Sequence, residues 1–373
     1  MHYREFDGIN SFLVGMAQQL LREGIERRTR GLKCFELPAP LMVKINNPTA
    51  RLISVPARNW NYTLPYVESL WLASGRNDIE MVSHYVKKML EFSDDKSTMR
   101  AGYGPRLRFF NGIADDYNSG FMQERRVPED VRTAEIDQFE FVEKSFEKDP
   151  FTRQAIISIG DPAKDCFSEE HILKKTKDFP CTRDLQFIRN DNKLDLVVHM
   201  RSNDFVWGAT GVNIFNFSFM QEYFAGILGL PIGHYYHIVN NFHYYETHKE
   251  LLQQIADCKQ VDDPAFIYKK SFKSLAEFNE RLLAFQKYEY ELRHDRAAEL
   301  IDFDDDFFND WAKILFQFNK KGAKKIKYIS PVLQEIVKQK PPKQILLNNR
   351  EQLKEAFIMD GEDDSPVYWR QYI

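Results

Sequence analysis

The chain holds 373 residues, 43% hydrophobic and 28% charged, an ordinary globular composition with length for two domains or for one large domain with an extension. Its 51 Lys and Arg against 55 Asp and Glu leave a net charge of -4, which argues against a strongly basic, polyanion-coating protein while leaving room for local basic sites. No window approaches ~18 consecutive apolar residues, and MHYREFDGIN lacks a signal-peptide core.

Four cysteines, Cys34, Cys166, Cys181 and Cys258, show no CxxC spacing and are too sparse for a disulfide scaffold. A soluble, reduced, cytoplasmic protein is therefore expected, with neither membrane nor nucleic acid as partner. In chain order, residues 8–24 carry apolar positions at helical spacing up to a glycine and read as an amphipathic helix. ERRTRG (26–31) has no apolar period and reads as a basic loop. PLMVKIN (40–46) and RLISV (51–55) read as short strands. A helix is expected over 65–74, with Pro65 in its first turn, and another from Asp78 to Phe92. Residues 137–148 form an amphipathic helix, and AIISIGD (155–161) has strand length. Residues 185–202 read as a hairpin turning at Asn-Asp-Asn. IFNFSFMQEYFAGILG (214–229) is an apolar, central helix, and 234–248 a strand followed by a loop. Beyond about residue 260 charged helical stretches, an acidic aromatic run and a lysine-rich piece follow, closing on the acidic, aromatic DGEDDSPVYWRQYI.

Several constellations carry possible chemistry. Cys181, after Pro180 and just ahead of a strand, is either a thiol activated by Arg183 or by an arginine the fold supplies, or a small buried hydrophobe. Met200–Asp204 (MRSND) ends a strand with a cation, a hydroxyl and a carboxylate. Arg201 and Ser202 there suit phosphate binding, and a solvated strand end is the alternative. Arg27, Arg28 and Arg30 either gather round the same anion or form a solvated cluster. Glu68 sits in an apolar helix beside Leu70 and Trp71, where a carboxylate is costly unless paired or functional. His234, His237, His243 and His248 fit no closed zinc pattern, so no metal is expected. Asp304–Asp306 reads as a solvated face, and GYGP (102–105) is too short for a phosphate-binding loop.

The order of segments is more telling than any one of them. RRTRG, YVESLWLASGRND, AGYGPR, DQFEFVEKSFEKDPFTRQAIISI, FPCTRDLQFIRNDNKLDLVVHMRSNDFVWG, VNIFNFSFMQEYFAGILGL and FHYYETH follow one another. That succession resembles the thymidylate synthase family over roughly residues 20–250. The CT dipeptide (Cys181, Thr182) and MRSND are similar to its branch of phage nucleotide hydroxymethylases; synthases usually have PCH and QRS there.

The resemblance implies one-carbon transfer from 5,10-methylenetetrahydrofolate to C5 of a pyrimidine nucleoside monophosphate. It makes Cys181 the nucleophile that adds to C6 and turns C5 into an enolate-like carbon, after which hydride yields methyl and water yields hydroxymethyl. By the same comparison Glu68 orders water and assists proton transfer, and Tyr103 positions base and thiolate. Arg28, Arg153, Arg201 and Ser202 hold the 5′-phosphate, with Arg153 lent by the second subunit of a homodimer. Asp204 binds the pterin, Asn213 reads the uracil edge, and His243 and Tyr245 reach the 3′-hydroxyl.

Several positions depart from the family pattern. Gln154 stands where a second arginine is common, so one phosphate contact is lost or is supplied by another residue such as Arg58 or Arg106. Thr182 replaces a histidine, and no tryptophan follows GYGP. One residue too many lies between Gly208 and Asn213, so Asn213 (with a gap) or Val212 (without) occupies the base-reading place. The resemblance implies an α+β fold, a mixed sheet with flanking helices that dimerises sheet to sheet. Residues 1–255 would form the catalytic domain and 256–373 a charged helical extension. For product, 5-hydroxymethylation of dUMP is favoured over thymidylate synthesis, a dCMP or CMP hydroxymethylase, or a non-catalytic nucleotide binder.

Overall fold

The computed structural model of the chain describes residues 1–29, 31–117, 135–168, 171–295, 297–320 and 326–339. Arg30 and the acidic, aromatic C-terminal segment lie outside the described residues, as does part of the lysine-rich piece.

The fold is α+β, built on two mixed sheets where the sequence suggested one. The larger has the order β1 (His2–Phe6), β4 (Leu41–Ile45), β9 (Ile232–Val239), β7 (Lys193–Met200), β6 (Thr182–Asn190) and β5 (Ile156–Ser158). The smaller has the order β2 (Ile25–Thr29), β3 (Leu32–Glu36), β10 (Phe242–Tyr245) and β8 (Asn203–Asp204). Strands β4 and β9 alternate buried with partly exposed residues, the period of a sheet with one face on a core. The β6–β7 hairpin turns at Asp191 and Asn192, with φ of 45° and 59°, the left-handed pair that a two-residue hairpin loop needs and that Asn and Asp tolerate best after glycine.

Two parallel neighbours of the large sheet cross into the small one. Strands β7 and β9 pair in parallel, break at Arg201–Ser202 and at Asn240–Asn241, and resume as the parallel pair β8 and β10. Backbone bonds from Asn240 N–H to Met200 O (3.0 Å) and from Asn203 N–H to Asn241 O (2.9 Å) stitch this corner. Arg201, Ser202 and Asp204 thus stand at the junction of the sheets.

Helix α1 (Ile9–Glu23) covers one face of the strands, and α7 (Ile214–Ile227) runs through the centre, buried at every residue from Ile214 to Ala225. Several of its polar side chains find partners, although Gln221 Oε1 is buried without one among the described residues. Gln221 donates to the carbonyls of Leu194 (2.8 Å) and His234 (3.0 Å), and Glu222 pairs with Arg51 and Lys270. Helices α2 (Thr63–Ala73), α3 (Ile79–Tyr85), α4 (Tyr103–Arg108), α5 (Gln138–Lys148) and the short α6 (Pro162–Asp165) precede it, and α8 (Lys249–Ala256) follows the small sheet. Then come α9 (Leu275–His294), α10 (Asp306–Asn319) and α11 (Pro331–Gln339). The hydrophobic core continues into these last helices: Phe307 stacks on Phe219 of α7 at 4.3 Å, and Trp311 Nε1 donates to the Tyr66 carbonyl at 2.7 Å. Among the described residues no helix is long and apolar enough to cross a membrane.

Several expectations are corrected. ERRTRG lies in the edge strand β2 up to Thr29; all five residues of β2 are exposed, so no apolar period could betray it. Residues 51–55 form no strand but an irregular segment whose Arg51 is buried. The 78–92 helix ends at Tyr85, because Val86 turns to φ -137°, and resumes as a 3₁₀ turn. Only Ile156–Ser158 of AIISIGD is strand, and residues 234–248 hold two strands. The Asp304–Asp306 run is no solvated face: Asp305 is buried, caps α10 by accepting from Phe308 N–H (3.0 Å), and accepts from Ser271 Oγ (2.9 Å). GYGP starts α4, where Gly104 lies so close to the backbone of Arg76 that a Cβ would come within 2.2 Å of its carbonyl oxygen.

Candidate active site

Within segments that are otherwise buried, a few polar side chains stay partly exposed, and they make up the candidate site. On α2 only Glu68 is not buried. Cys181, Arg201, Ser202, Asp204, Trp207 and Asn213 are likewise partly exposed next to buried neighbours.

Cys181 ends a loop immediately before β6. Its N–H and that of Thr182 both donate to Tyr103 Oη, at 3.2 and 3.1 Å, so α4 anchors the thiol-bearing turn. Arg201, brought in from the end of β7, is the cation beside the thiol: its Nη2 stands 3.6 Å from Sγ. Its guanidinium also donates to the carbonyls of Pro180 (2.9 Å) and Phe179 (3.1 Å) and lies over the Phe179 ring. Such a neighbour favours the thiolate. Arg183 packs on Gly160 instead. Burial, reinforced by the Cys181 charge, pushes the Tyr103 hydroxyl up to about 12, so it stays protonated. Asp178 accepts from Ala101 N–H (2.8 Å) and is raised to about 6 by burial. The Thr182 hydroxyl is buried without a partner among the described residues.

The extra residue between Gly208 and Asn213 has a structural answer. Phe205–Asn213 is a π-helical turn running straight into α7, and a π turn is the form in which a helix absorbs one inserted residue. Val212 is buried in the core, whereas Asn213 is partly exposed and its amide makes no hydrogen bond among the described residues. Three residues on, Asn216 Nδ2 donates to Glu68 Oε2 at 2.9 Å. Burial raises the Glu68 carboxyl to about 7, and the Asn216 bond works against that rise.

Asp204 caps the π turn by accepting from Trp207 N–H, and its Oδ2 is buried with no partner among the described residues. Trp207 lies against Phe92 at 5.6 Å with Lys88 Nζ over its ring at 5.5 Å. Arg58 donates to Thr210 Oγ1 (3.2 Å) and Val206 O (2.6 Å), with burial lowering it to about 10 and Asp204 opposing. An orphaned carboxylate oxygen beside an aromatic pair suits a flat, nitrogen-rich ring that donates N–H groups, so these residues fit a pterin. On the neighbouring strand β10, His243 is paired with Asp204 in parallel register. It is buried, held neutral by that burial, and edge-on to Tyr245 at 5.3 Å. Ser202 Oγ donates to Asn241 Oδ1 at 3.3 Å.

Two expected phosphate ligands stand apart. Arg28 is exposed on edge strand β2, two strands from His243, and Arg153 is exposed beside β5. Of the two suggested replacements, Arg106 is engaged elsewhere. Arg106 is spent on a buried bidentate ion pair with Asp165 and on Ile159 O, while Arg58 donates to Thr210 Oγ1 and Val206 O. Of the four histidines, His237 is buried between Tyr235 Oη (2.9 Å) and Asn203 Nδ2 (3.0 Å), and no group of three metal ligands occurs among the described residues. The sequence reading missed Asn216, Trp207 and Asp178. Asn216 carried the same signal as Glu68, a polar side chain in an apolar helix.

The thymidylate synthase family model matches residues 13–298. The deoxyuridylate hydroxymethyltransferase of Bacillus phage SP01 is 36% identical over 226 residues, covering 61% of this chain and 54% of that protein. That of Pseudomonas phage M6 is 32% identical over 241 residues, covering 64% and 59%. A thymidylate synthase from Francisella philomiragia is 22% identical over 229 residues, covering 60% and 76%. The chain spans between half and three fifths of the length of the two phage relatives. A family match over most of the chain, on a fold that places the Cys181 thiol beside Arg201, shows that the protein belongs to the thymidylate synthase family.

Proposed function

We propose that the protein transfers a one-carbon unit to C5 of dUMP through a Cys181–C6 adduct and releases 5-hydroxymethyl-dUMP. The observation that carries this reading is the Cys181 thiol 3.6 Å from the Arg201 guanidinium.

Arg201 favours the thiolate and, with Ser202, receives the 5′-phosphate. Thiolate addition at C6 moves the C5–C6 electron pair onto C5 and the C4 carbonyl, so that C5 becomes the nucleophile. Asn213, with a free amide, donates to O4 and accepts from N3–H, which selects uracil over cytosine. Glu68, raised to about 7, exchanges protons near neutral pH and serves the departure of the C5 proton. Tyr103 holds the thiol-bearing turn, and His243 and Tyr245 hold the 3′-hydroxyl. Asp204 holds the pterin of methylenetetrahydrofolate, which supplies the one-carbon unit and, in methylating members, a hydride. Arg153, exposed beside β5, is lent to a second subunit across the sheet face. Residues 1–255 supply the site, with the later helices as an elaboration.

Water in place of hydride at the last step is favoured by Thr182 where synthases have histidine, and by the phage relatives being deoxyuridylate hydroxymethyltransferases. Thymidylate synthesis is the second reading, since Cys181, Glu68, Arg201 and Asp204 serve it equally.

The test incubates the protein separately with dUMP, dCMP, UMP and CMP plus methylenetetrahydrofolate and identifies products by mass spectrometry. A hydroxymethylated dUMP with tetrahydrofolate supports the proposal, and a methylated product with dihydrofolate replaces it with synthesis. Bound nucleotide without product overturns both. Cys181→Ser should abolish turnover while nucleotide still binds, and Asn213→Asp should move preference from uracil towards cytosine.

A further inference from the structure

Behind Glu68 lies a hydrogen-bonded pair that no reacting atom touches. Ser69 Oγ donates to Asn216 Oδ1 at 3.0 Å, and Asn216 Nδ2 donates to Glu68 Oε2 at 2.9 Å. Ser69 and Asn216 are each 3% exposed, so water does not compete for these bonds. An ionised carboxylate only accepts, so Glu68 draws the amide N–H of Asn216 towards itself, and the amide oxygen is left to accept from Ser69, whose hydroxyl fixes that side of the amide. Asn213 and Asn216 are three residues apart at the start of α7, hence on one face, and the π turn before them sets the direction of both.

We propose that Asn216, locked by Ser69, is the positioning residue of Glu68: it holds the carboxylate in place as a proton acceptor and ties it to the helix face that carries Asn213. The proposal rests on the reading of Glu68 as the proton-exchanging group.

The charged groups on the helices packed round α2 are engaged elsewhere. Arg106 and Arg108 on α4 bind Asp165 and Asp137, and Glu222 on α7 binds Arg51 and Lys270. Glu289 and Arg293 on α9 pair with each other, Arg293 also meets Glu80 of α3, and Asp310 on α10 binds Lys313. His84 of α3 faces Asn319, and Tyr103 faces the Cys181 turn. Burial and the Asn216 bond are accordingly the two influences on Glu68, and they oppose each other. Removing the bond leaves burial alone and must push the carboxyl higher.

The test has two readouts. In nucleotide-free protein, difference infrared spectroscopy follows the Glu68 carboxylate, identified by its loss in Glu68→Gln. In turnover, the acidic limb of kcat against pH reports the same group. Asn216→Leu should move both midpoints up by about one pH unit, the tenfold that a hydrogen bond to a charged acceptor typically contributes. The KM for dUMP should stay within about twofold, because uniform binding is untouched. Ser69→Ala should produce a smaller shift of the same sign, and it decides the matter if the leucine variant does not fold. An unchanged infrared midpoint overturns the proposal. A shifted midpoint in a protein that turns over no pyrimidine nucleotide upholds the positioning and sinks the reaction instead.

Discussion

Glu68 and Glu222 are glutamates on neighbouring packed helices, yet their surroundings drive them in opposite directions. Glu222 is sealed at 0% exposure, and burial would raise its carboxyl, but Arg51 and Lys270 outweigh that and hold it below the usual range. Glu68 has one neutral amide for company and no cation among the described residues, and burial carries it up to about 7. Depth of burial does not decide protonation; compensating charge does. Glu222 belongs to the architecture, since its other ties run to Tyr268 N–H at 3.2 Å and so fasten the segment before α9 to the central helix. Glu68 is left uncompensated, and that is what lets it trade protons near neutrality.

Four measurements would break or sharpen this contrast. The largest expected effect is on turnover: Glu68→Gln should lower kcat by about 10²–10⁴-fold, the usual worth of a general acid or base, with the fold retained. An activity loss below tenfold would make Glu68 a bystander. Next, Glu222→Gln should cost about 3–5 kcal/mol in urea unfolding, because Arg51 and Lys270 are left as buried, unpaired cations. Lys270→Met should cost less, on the order of 1–3 kcal/mol, since Arg51 still compensates the carboxylate; a loss equal to that of Glu222→Gln would mean that the two cations act as a unit.

The smallest effect is the sign of pH dependence. Glu68 is raised in the folded state, so it binds its proton more tightly there than in the unfolded chain. Its penalty is absent below the unfolded value of 4.5, grows between 4.5 and about 7, and is full above that. Glu68→Gln should therefore stabilise at pH 8 and leave stability at pH 4 unchanged. Glu222 is lowered, so its contribution is present above 4.5 and is lost as pH falls through its folded value. Calorimetric scans at pH 4 and 8 on both variants test the pair of signs.

Much of the framework could be read from the chain because it is local or periodic. The 214–229 apolar run announces the central helix, Asn-Asp-Asn announces the hairpin, and Glu68 stands out as a charge in an apolar stretch. Strand β2 escaped because an exposed edge strand buries no face and so leaves no alternation. Arg106 was open to misreading because a buried guanidinium and a phosphate-binding one look alike until Asp165 is seen beside it. Asn216 was passed over because its partner lies 148 positions earlier in the chain.

By itself the sequence determined the family motifs, the candidate nucleophile and the main helices and hairpin, all of which depend on residue type, order and short spacing. Only the tertiary structure decided that the cation beside Cys181 is Arg201 and not Arg183. It alone showed that a π turn absorbs the inserted residue and leaves Asn213 open while Val212 is buried, and that of two glutamates one is neutralised and one is not. The physical reason is the same each time: charge, burial and hydrogen bonding at a site are set by which distant segments meet there.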